Sequence, residues 1–460
     1  MNKKSAACVA LVFVTLVFLS CKKKASEEPV VTATPQESGE YVQYGTPFSA
    51  VPDTRDIVMY EVNLRAFSNT SNLQGVINRL DQLQAMHINV VWLMPIHPIG
   101  EINSVNSPYC VKDYLKVNTE FGTLAQLRTL VSEAHNRGMA VILDWVANHT
   151  AWDNPWIAHT DWYSQDGNGN IIHPPGTNWN DVADLNFENT DMRAAMIDAM
   201  RYWVLEANVD GYRCDYADGV PFDFWQQAID TIRTIPNRNI VFLAEGSSAD
   251  HYTAGFDMNY GWSFYGALQS VWSGQSAAHL ITASNTEYAA VPAGKEILRF
   301  TTNHDESAWN ATPITLFGGQ AGATAASVLA IYLRGVPMIY TGQEVGRVAT
   351  VPFFTNSPID WSINGAMRTN YQDMLAFYTA SPASRYGALT DYSSTDISAF
   401  VKTSESEQVL VMTNVRNAYK IYNIPAALEG TVWTNALTNA SVTLSGTLTL
   451  VPWEYLVLKN

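Results

Sequence analysis

From residue 57 onward, short apolar runs alternate with stretches whose apolar residues recur every three or four positions. The first pattern predicts buried parallel strands and the second amphipathic crossover helices. Strands are expected at 57–64, 88–95, 139–146, 209–215, 240–245, 256–259, 297–303 and 336–340. Helices are expected at 73–87, 124–137, 192–207, 222–235, 323–333 and 367–380. Gly138 and Gly335 each follow a helix where a left-handed cap is expected. Eight strands with interleaved helices predict a closed α/β barrel of the TIM type over 48–385, not an open sheet. At 150–188 the rhythm fails and Trp, Asn, Asp, Gly and Pro accumulate, so a short domain B is expected to be inserted after the third strand. Beyond 385 the pattern becomes pure strand, at 409–413, 431–434, 441–444 and 455–458, predicting a C-terminal antiparallel β-sandwich over 386–460.

The N-terminus follows another logic. Lys3 and Lys4 precede an apolar run from Ala6 to Leu19, too short for a comfortable membrane span and shaped like a secretory signal over 1–20. Ser20-Cys21 resembles a bacterial lipoprotein processing site, so Cys21 is the expected lipidation site. The polar segment 21–47 reads as a flexible tether. These features predict export and lipid anchoring to the bacterial cell envelope, at the outer membrane. Cys110 and Cys214 then remain; Cys214 is expected to face the helix layer by strand alternation, leaving both as free thiols.

Composition narrows the partners. Hydrophobic residues make up 47% and charged residues 15%, enough for a large core. With 43 Asp and Glu against 27 Lys and Arg, the formal charge of −16 disfavours nucleic acid and suits a neutral substrate. Oligomeric state is not set by any of these patterns.

Polar groups at the C-terminal ends of barrel strands carry the chemistry. The third strand ends in Asp144-Trp-Val-Ala-Asn148-His149, the fourth in Arg213-Cys-Asp215, the fifth in Glu245-Gly246 and the seventh in Asn303-His304-Asp305. Two carboxylates on neighbouring strands suit glycoside hydrolysis, one attacking the anomeric carbon while the other protonates the leaving oxygen. Arg213, two residues before Asp215 on one face, is expected to hold that carboxylate ionised with a low pKa. Glu245 has no cation beside it in sequence, which fits a raised pKa.

These four segments resemble the four conserved regions of the alpha-amylase family, glycoside hydrolase family 13. The resemblance implies Asp215 as nucleophile, Glu245 as acid/base and Asp305 as transition-state stabiliser, with Arg213, His149 and His304 around the cleaved bond and Asp144 supporting Arg213. Tyr109 resembles the family's sugar-stacking tyrosine, and Tyr60 is a further candidate for the same wall. Trp152, Trp156, Trp162 and Trp179 in the excursion, and His97 after the second strand, are expected near the cleft, whereas His135 is expected on the surface. No cofactor is required for this chemistry. A structural calcium is kept open: Asn148 matches the family's calcium pattern and Asn186 matches it in part, but Tyr216-Ala217-Asp218-Gly219 stands where many calcium-dependent members have Lys-His. Asp166-Gly167-Asn168-Gly169-Asn170 reads as a glycine-rich turn, lacking the glycine and final glutamate of an EF-hand loop. The expected activity is retaining hydrolysis of alpha-1,4 bonds in starch-like alpha-glucans. The alternatives are an oligosaccharide-specific, debranching or transglycosylating relative, and a non-catalytic glycan-binding lipoprotein, which would be expected to lack one of the three carboxylates.

Overall fold

The computed structural model describes residues 41–405 and 407–460. The expected signal 1–20, Cys21 and the first part of the tether lie outside these residues. Eight parallel strands close a barrel: β1 (Met59–Val62), β2 (Val90–Leu93), β3 (Ala140–Trp145), β4 (Gly211–Cys214), β5 (Val241–Ala244), β6 (Met258–Tyr260), β7 (Glu296–Arg299) and β8 (Val336–Tyr340). Neighbours pair in chain order, and β1 closes the ring against β8 with Met59 opposite Met338. All eight fall within the sequence-predicted runs or within one residue of them. Most are shorter than expected, because residues leading into and out of the barrel stay apolar without pairing.

Side chains alternate between two cores. Met59, Val90, Trp92, Ile142, Leu243, Met258, Leu298 and Met338 fill the barrel. Val58, Tyr60, Val91, Val141, Tyr212 and Cys214 face the helices, which answer with residues such as Leu127, Trp203, Trp225 and Leu329. Cys214 therefore faces the helix layer, and it and Cys110 are buried free thiols. Gly138 and Gly335 have φ of +77° and +126°, conformations that exclude a comfortable side chain. At Gly211, where β4 starts, a Cβ would lie 2.1 Å from the Val241 carbonyl oxygen, so β4 and β5 can meet only at a glycine.

Several elements differ from the expectation. The helix predicted at 73–87 is two short helices, Leu73–Ile77 and Leu80–Ala85, broken where the Arg79 guanidinium turns onto the Trp361 ring, 3.8 Å from its centroid. Helices Trp262–Trp272 and Ala278–Tyr288 were not anticipated. The C-terminal part has four further strands: Ala388–Asp391, Ile397–Thr403, Lys420–Asn423 and Thr447–Leu450. It forms a six-stranded antiparallel sheet and a two-stranded one around a core containing Leu410, Trp433 and Leu458. Residues 41–47 are not a free tether. Tyr41 Oη donates to Asp198 at 2.6 Å, the Tyr44 amide donates to the Leu205 carbonyl at 2.8 Å, and the Arg128 guanidinium covers the Tyr44 ring.

The 150–188 excursion is pinned by a small antiparallel ladder, His149–Ala151 with Val182–Asp184, that brings its far end back over the barrel mouth. Asp166 accepts from the backbone amides of Asn168 and Asn170, closing a hydrogen-bonded turn. No helix among the described residues is long and apolar enough to cross a membrane.

Candidate active site

The segments that follow the C-terminal ends of β2 to β8 line a cleft of about 780 Å³. Arg213, with no exposed surface, stands at its floor. Its Nη1 donates to Asp144 Oδ1 at 2.7 Å and to Asp215 Oδ1 at 3.0 Å, and its Nη2 lies 2.7 Å from Glu245 Oε1. Nε donates to Tyr260 Oη at 3.2 Å, and the Trp92 ring lies 5.0 Å from the guanidinium carbon. One planar cation thus hydrogen-bonds two carboxylates, from β3 and the end of β4, and stands within ion-pair distance of a third at the end of β5, a geometry that a lysine ammonium could not reproduce.

This arrangement corrects the electrostatic expectation. Arg213 serves Glu245 as well as Asp215. Burial pushes the Asp215 carboxyl well above the usual range; Glu245, Asp144 and Asp305 push the same way, and Arg213 opposes them. Burial likewise raises Asp144 against the pull of Arg213. For both Asp215 and Asp144 the direction is thus upward, set by burial that the single buried guanidinium does not offset.

Asp144 is fully buried, and its second oxygen accepts from Trp92 Nε1 at 3.2 Å and Tyr109 Oη at 3.0 Å. The Tyr109 ring stacks on His304, 5.3 Å between centroids at 21°, and His304 Nε2 lies 2.8 Å from Tyr109 Oη. His304 Nδ1 donates to Glu61 Oε1 at 2.5 Å. Burial lowers the pKa of His304, but Asp305 and Glu61 outweigh it and raise the group to about 9, so at neutral pH both ring nitrogens are donors. Asp305 lies with Oδ2 3.5 Å from His304 Nε2 and keeps 42% of its side chain exposed, open to a ligand. His149, also on the cleft wall, is the reverse case: burial lowers it to about 4 and leaves a neutral ring.

The loop after Asp215 ties the two central carboxylates together. Tyr216 adopts a left-handed conformation with φ of 44°, and its amide donates to Glu245 Oε2 at 2.8 Å. The Ala217 amide donates to the Glu245 carbonyl at 3.0 Å. Asp218 accepts from the amides of Ser247 and Ser248, at 3.1 and 3.3 Å. The Tyr216 ring packs edge-on against Trp179, 5.1 Å between centroids, to form one wall of the cleft.

Asp215, Glu245, Asp305, Arg213, His149, His304, Tyr109 and Asp144 are therefore brought together. Tyr60 is not. It points into the helix layer, where its hydroxyl donates to Glu344 at 2.9 Å, because strand alternation turns Glu61 inward instead. His97 is also outside the cleft, buried between Tyr114, Trp145 and Trp203. Of the excursion tryptophans only Trp179 lines the cleft; Trp156 and Trp162 pack on each other, and Trp152 donates to the Asn180 carbonyl. His135 is not a surface residue: it stacks on Phe48 and pairs with Asp210 at 2.7 Å. Glu61, Trp92 and Tyr260 were missed, although a glutamate in the apolar run of β1 was a readable signal. For calcium, the Asn186 side chain is engaged by the Glu188 amide and the Asp161 carbonyl. No cluster of three His, Cys, Asp or Glu side chains suited to a metal occurs among the described residues.

The family model for the alpha amylase catalytic domain matches residues 62–181 and 176–381. Alpha-amylase MalA of Haloarcula japonica is 26% identical over 424 residues, covering 86% of this chain and 60% of that protein. The chain thus spans less than two thirds of the length of that relative. Alpha-amylase 2 of Dictyoglomus thermophilum is 25% identical, covering 83% of this chain and 71% of its own. The crystal structure of an alpha-amylase from Lactobacillus plantarum superposes with a TM-score of 0.80 at 27% identity, over 90% of this chain and all of that one. With an eight-stranded barrel, a carboxylate cluster at its C-terminal mouth and a family match across most of its length, the chain belongs to the alpha-amylase family of glycoside hydrolases.

Proposed function

We propose that this enzyme cleaves alpha-1,4-glucosidic bonds of starch-like alpha-glucans with retention of configuration, Asp215 attacking the anomeric carbon and Glu245 serving as acid and then base. The observation that carries the reading is the Arg213 fork, which holds Asp215 and Glu245 together in an open cleft. In this reading Asp215, the carboxylate bonded to Arg213, attacks the anomeric carbon while Glu245 passes a proton to the leaving oxygen in one step. In the second half-reaction Glu245 takes a proton from water, the water oxygen bonds to the anomeric carbon, and the bond from that carbon to Asp215 breaks to free the carboxylate.

Asp305 and charged His304 then bind hydroxyls of the ring being cleaved, with neutral His149 as a further hydroxyl partner and the Tyr109 ring against the sugar face. Asp144 acts through Arg213 as a positioning residue. Neither calcium nor another cofactor enters the steps. Asp215→Asn and Glu245→Gln should each lower turnover of amylose by orders of magnitude while leaving the fold intact. Near-normal hydrolysis by either would overturn the assignment. Amylose, pullulan and isomaltose offered separately identify the linkage: the reading predicts cleavage of amylose and little of isomaltose.

The basic, apolar N-terminal pattern ending at Ser20-Cys21 supports export and lipid anchoring of Cys21 at the outer membrane. A Cys21→Ser protein should leave the membrane fraction; retention there would rule the anchor out.

A further inference from the structure

We propose that Trp309 is a sugar-stacking platform on the cleft wall and sets the enzyme's preference for longer chains; this rests on the alpha-glucan reading above. Trp309 is 64% exposed, the one tryptophan among the described residues that stands so far out of the core. It belongs to the wall of the same cleft that holds Asp305 and Glu245. An indole left in water beside a catalytic mouth is apolar surface that a pyranose ring can cover.

Its position is built, not accidental. Asp305 runs directly into a π-helical turn, Glu306–Asn310, a rare conformation that carries Trp309 out toward the cleft. The turn is pinned through its first two residues. The Glu306 amide donates to Asn303 Oδ1 at 2.9 Å, and the Val351 amide donates to the Ser307 carbonyl at 3.1 Å. Glu306 itself accepts from Tyr265 Oη at 2.8 Å. Behind the indole, Phe353 and Phe354 pack edge-to-face, with centroids at 5.7 and 5.3 Å. A ring held this way can accept a ligand without being ordered first, so little entropy is lost on binding.

The test compares wild type, Trp309→Ala and Trp309→Phe on maltotriose and maltoheptaose. In Trp309→Ala the ratio of kcat/KM for maltoheptaose to that for maltotriose should fall about tenfold, carried by KM, while Trp309→Phe keeps most of it. Titration of an Asp215→Asn background with maltoheptaose should show the same loss of affinity. An unchanged ratio, or an equal loss on both substrates through kcat, overturns the platform. Wild-type inactivity on both oligosaccharides would instead overturn the substrate reading on which it rests.

Discussion

Asp305 and Glu61 together hold His304 in its charged form. The Glu61 and His304 side chains are both fully or almost fully buried and meet at 2.5 Å, and Asp305 acts on the same imidazole from the cleft side. Removing one of these anions removes part of what raises His304 to about 9. Glu61→Gln should therefore move the alkaline limb of the kcat/KM profile downward from about 9 and lower kcat/KM about tenfold or more at pH 8. An alkaline limb that stays in place would show that His304 does not control it. At this scale the sequence exposed the groups at strand ends but misjudged those within strands. Tyr60 and Glu61 are adjacent, and a strand's two-residue period sends them to opposite cores; a correct register for β1 names Glu61 and discards Tyr60. The sharing of Arg213 between Asp215 and Glu245 was not legible, because it depends on two strands meeting side by side and not on spacing within either.

The connection from β4 and the connection from β5 behave as one element. Three backbone amides, from Tyr216, Ser247 and Ser248, are consumed by carboxylates across the gap, and Gly246 sits beneath them with no room for a side chain: a Cβ would be 2.4 Å from His251 Cε1 and 2.8 Å from Asp218 Oδ1. Asp218 is the residue that locks the second loop to the first. Asp218→Ala should lower kcat about tenfold by loosening Glu245, with Asp218→Asn, which keeps an acceptor, restoring much of it. If both variants lost activity only through KM, Asp218 would be a substrate ligand and not a clamp. The barrel strands were legible because strands buried on both faces read as continuous apolar runs. The helices Trp262–Trp272 and Ala278–Tyr288 were not, since the first is apolar nearly all round and the second is rich in Ala, Ser and Thr, so neither shows a clean stripe.

For the whole molecule, the C-terminal sheets close one side of the barrel. The Trp272 and Trp453 rings stack in parallel, 5.6 Å between centroids, and Arg416 donates to the Val271 carbonyl at 2.6 Å. Lys402, on the strand Ile397–Thr403, is 2% exposed, and its amine donates to the Ser384 carbonyl in the short helix Pro382–Tyr386. Burial lowers its pKa from 10.5 to about 7. Between these values the unfolded chain keeps a proton that the folded chain gives up. The contribution to stability is thus fully present above about 10.5 and is lost as pH falls toward 7. Lys402→Met should remove that dependence, so its unfolding free energy relative to the parent should rise as pH is lowered from 10 to 7. A pH-independent difference would contradict the burial argument. The domain pattern was readable from the change to pure strand after 385, but short strands such as Lys420–Asn423 were not, because they carry little alternation.

The most direct test of the account is chemical trapping of the glycosyl-enzyme. A fluorinated alpha-glycosyl fluoride that forms the intermediate quickly and hydrolyses slowly should leave one sugar on the protein, and mass analysis of its peptides should place that sugar on Asp215. The Glu245→Gln variant should form the same adduct and release it more slowly. A sugar on Glu245 or Asp305, or turnover of an activated substrate with inverted configuration and no adduct, would contradict the assignment of Asp215 as nucleophile.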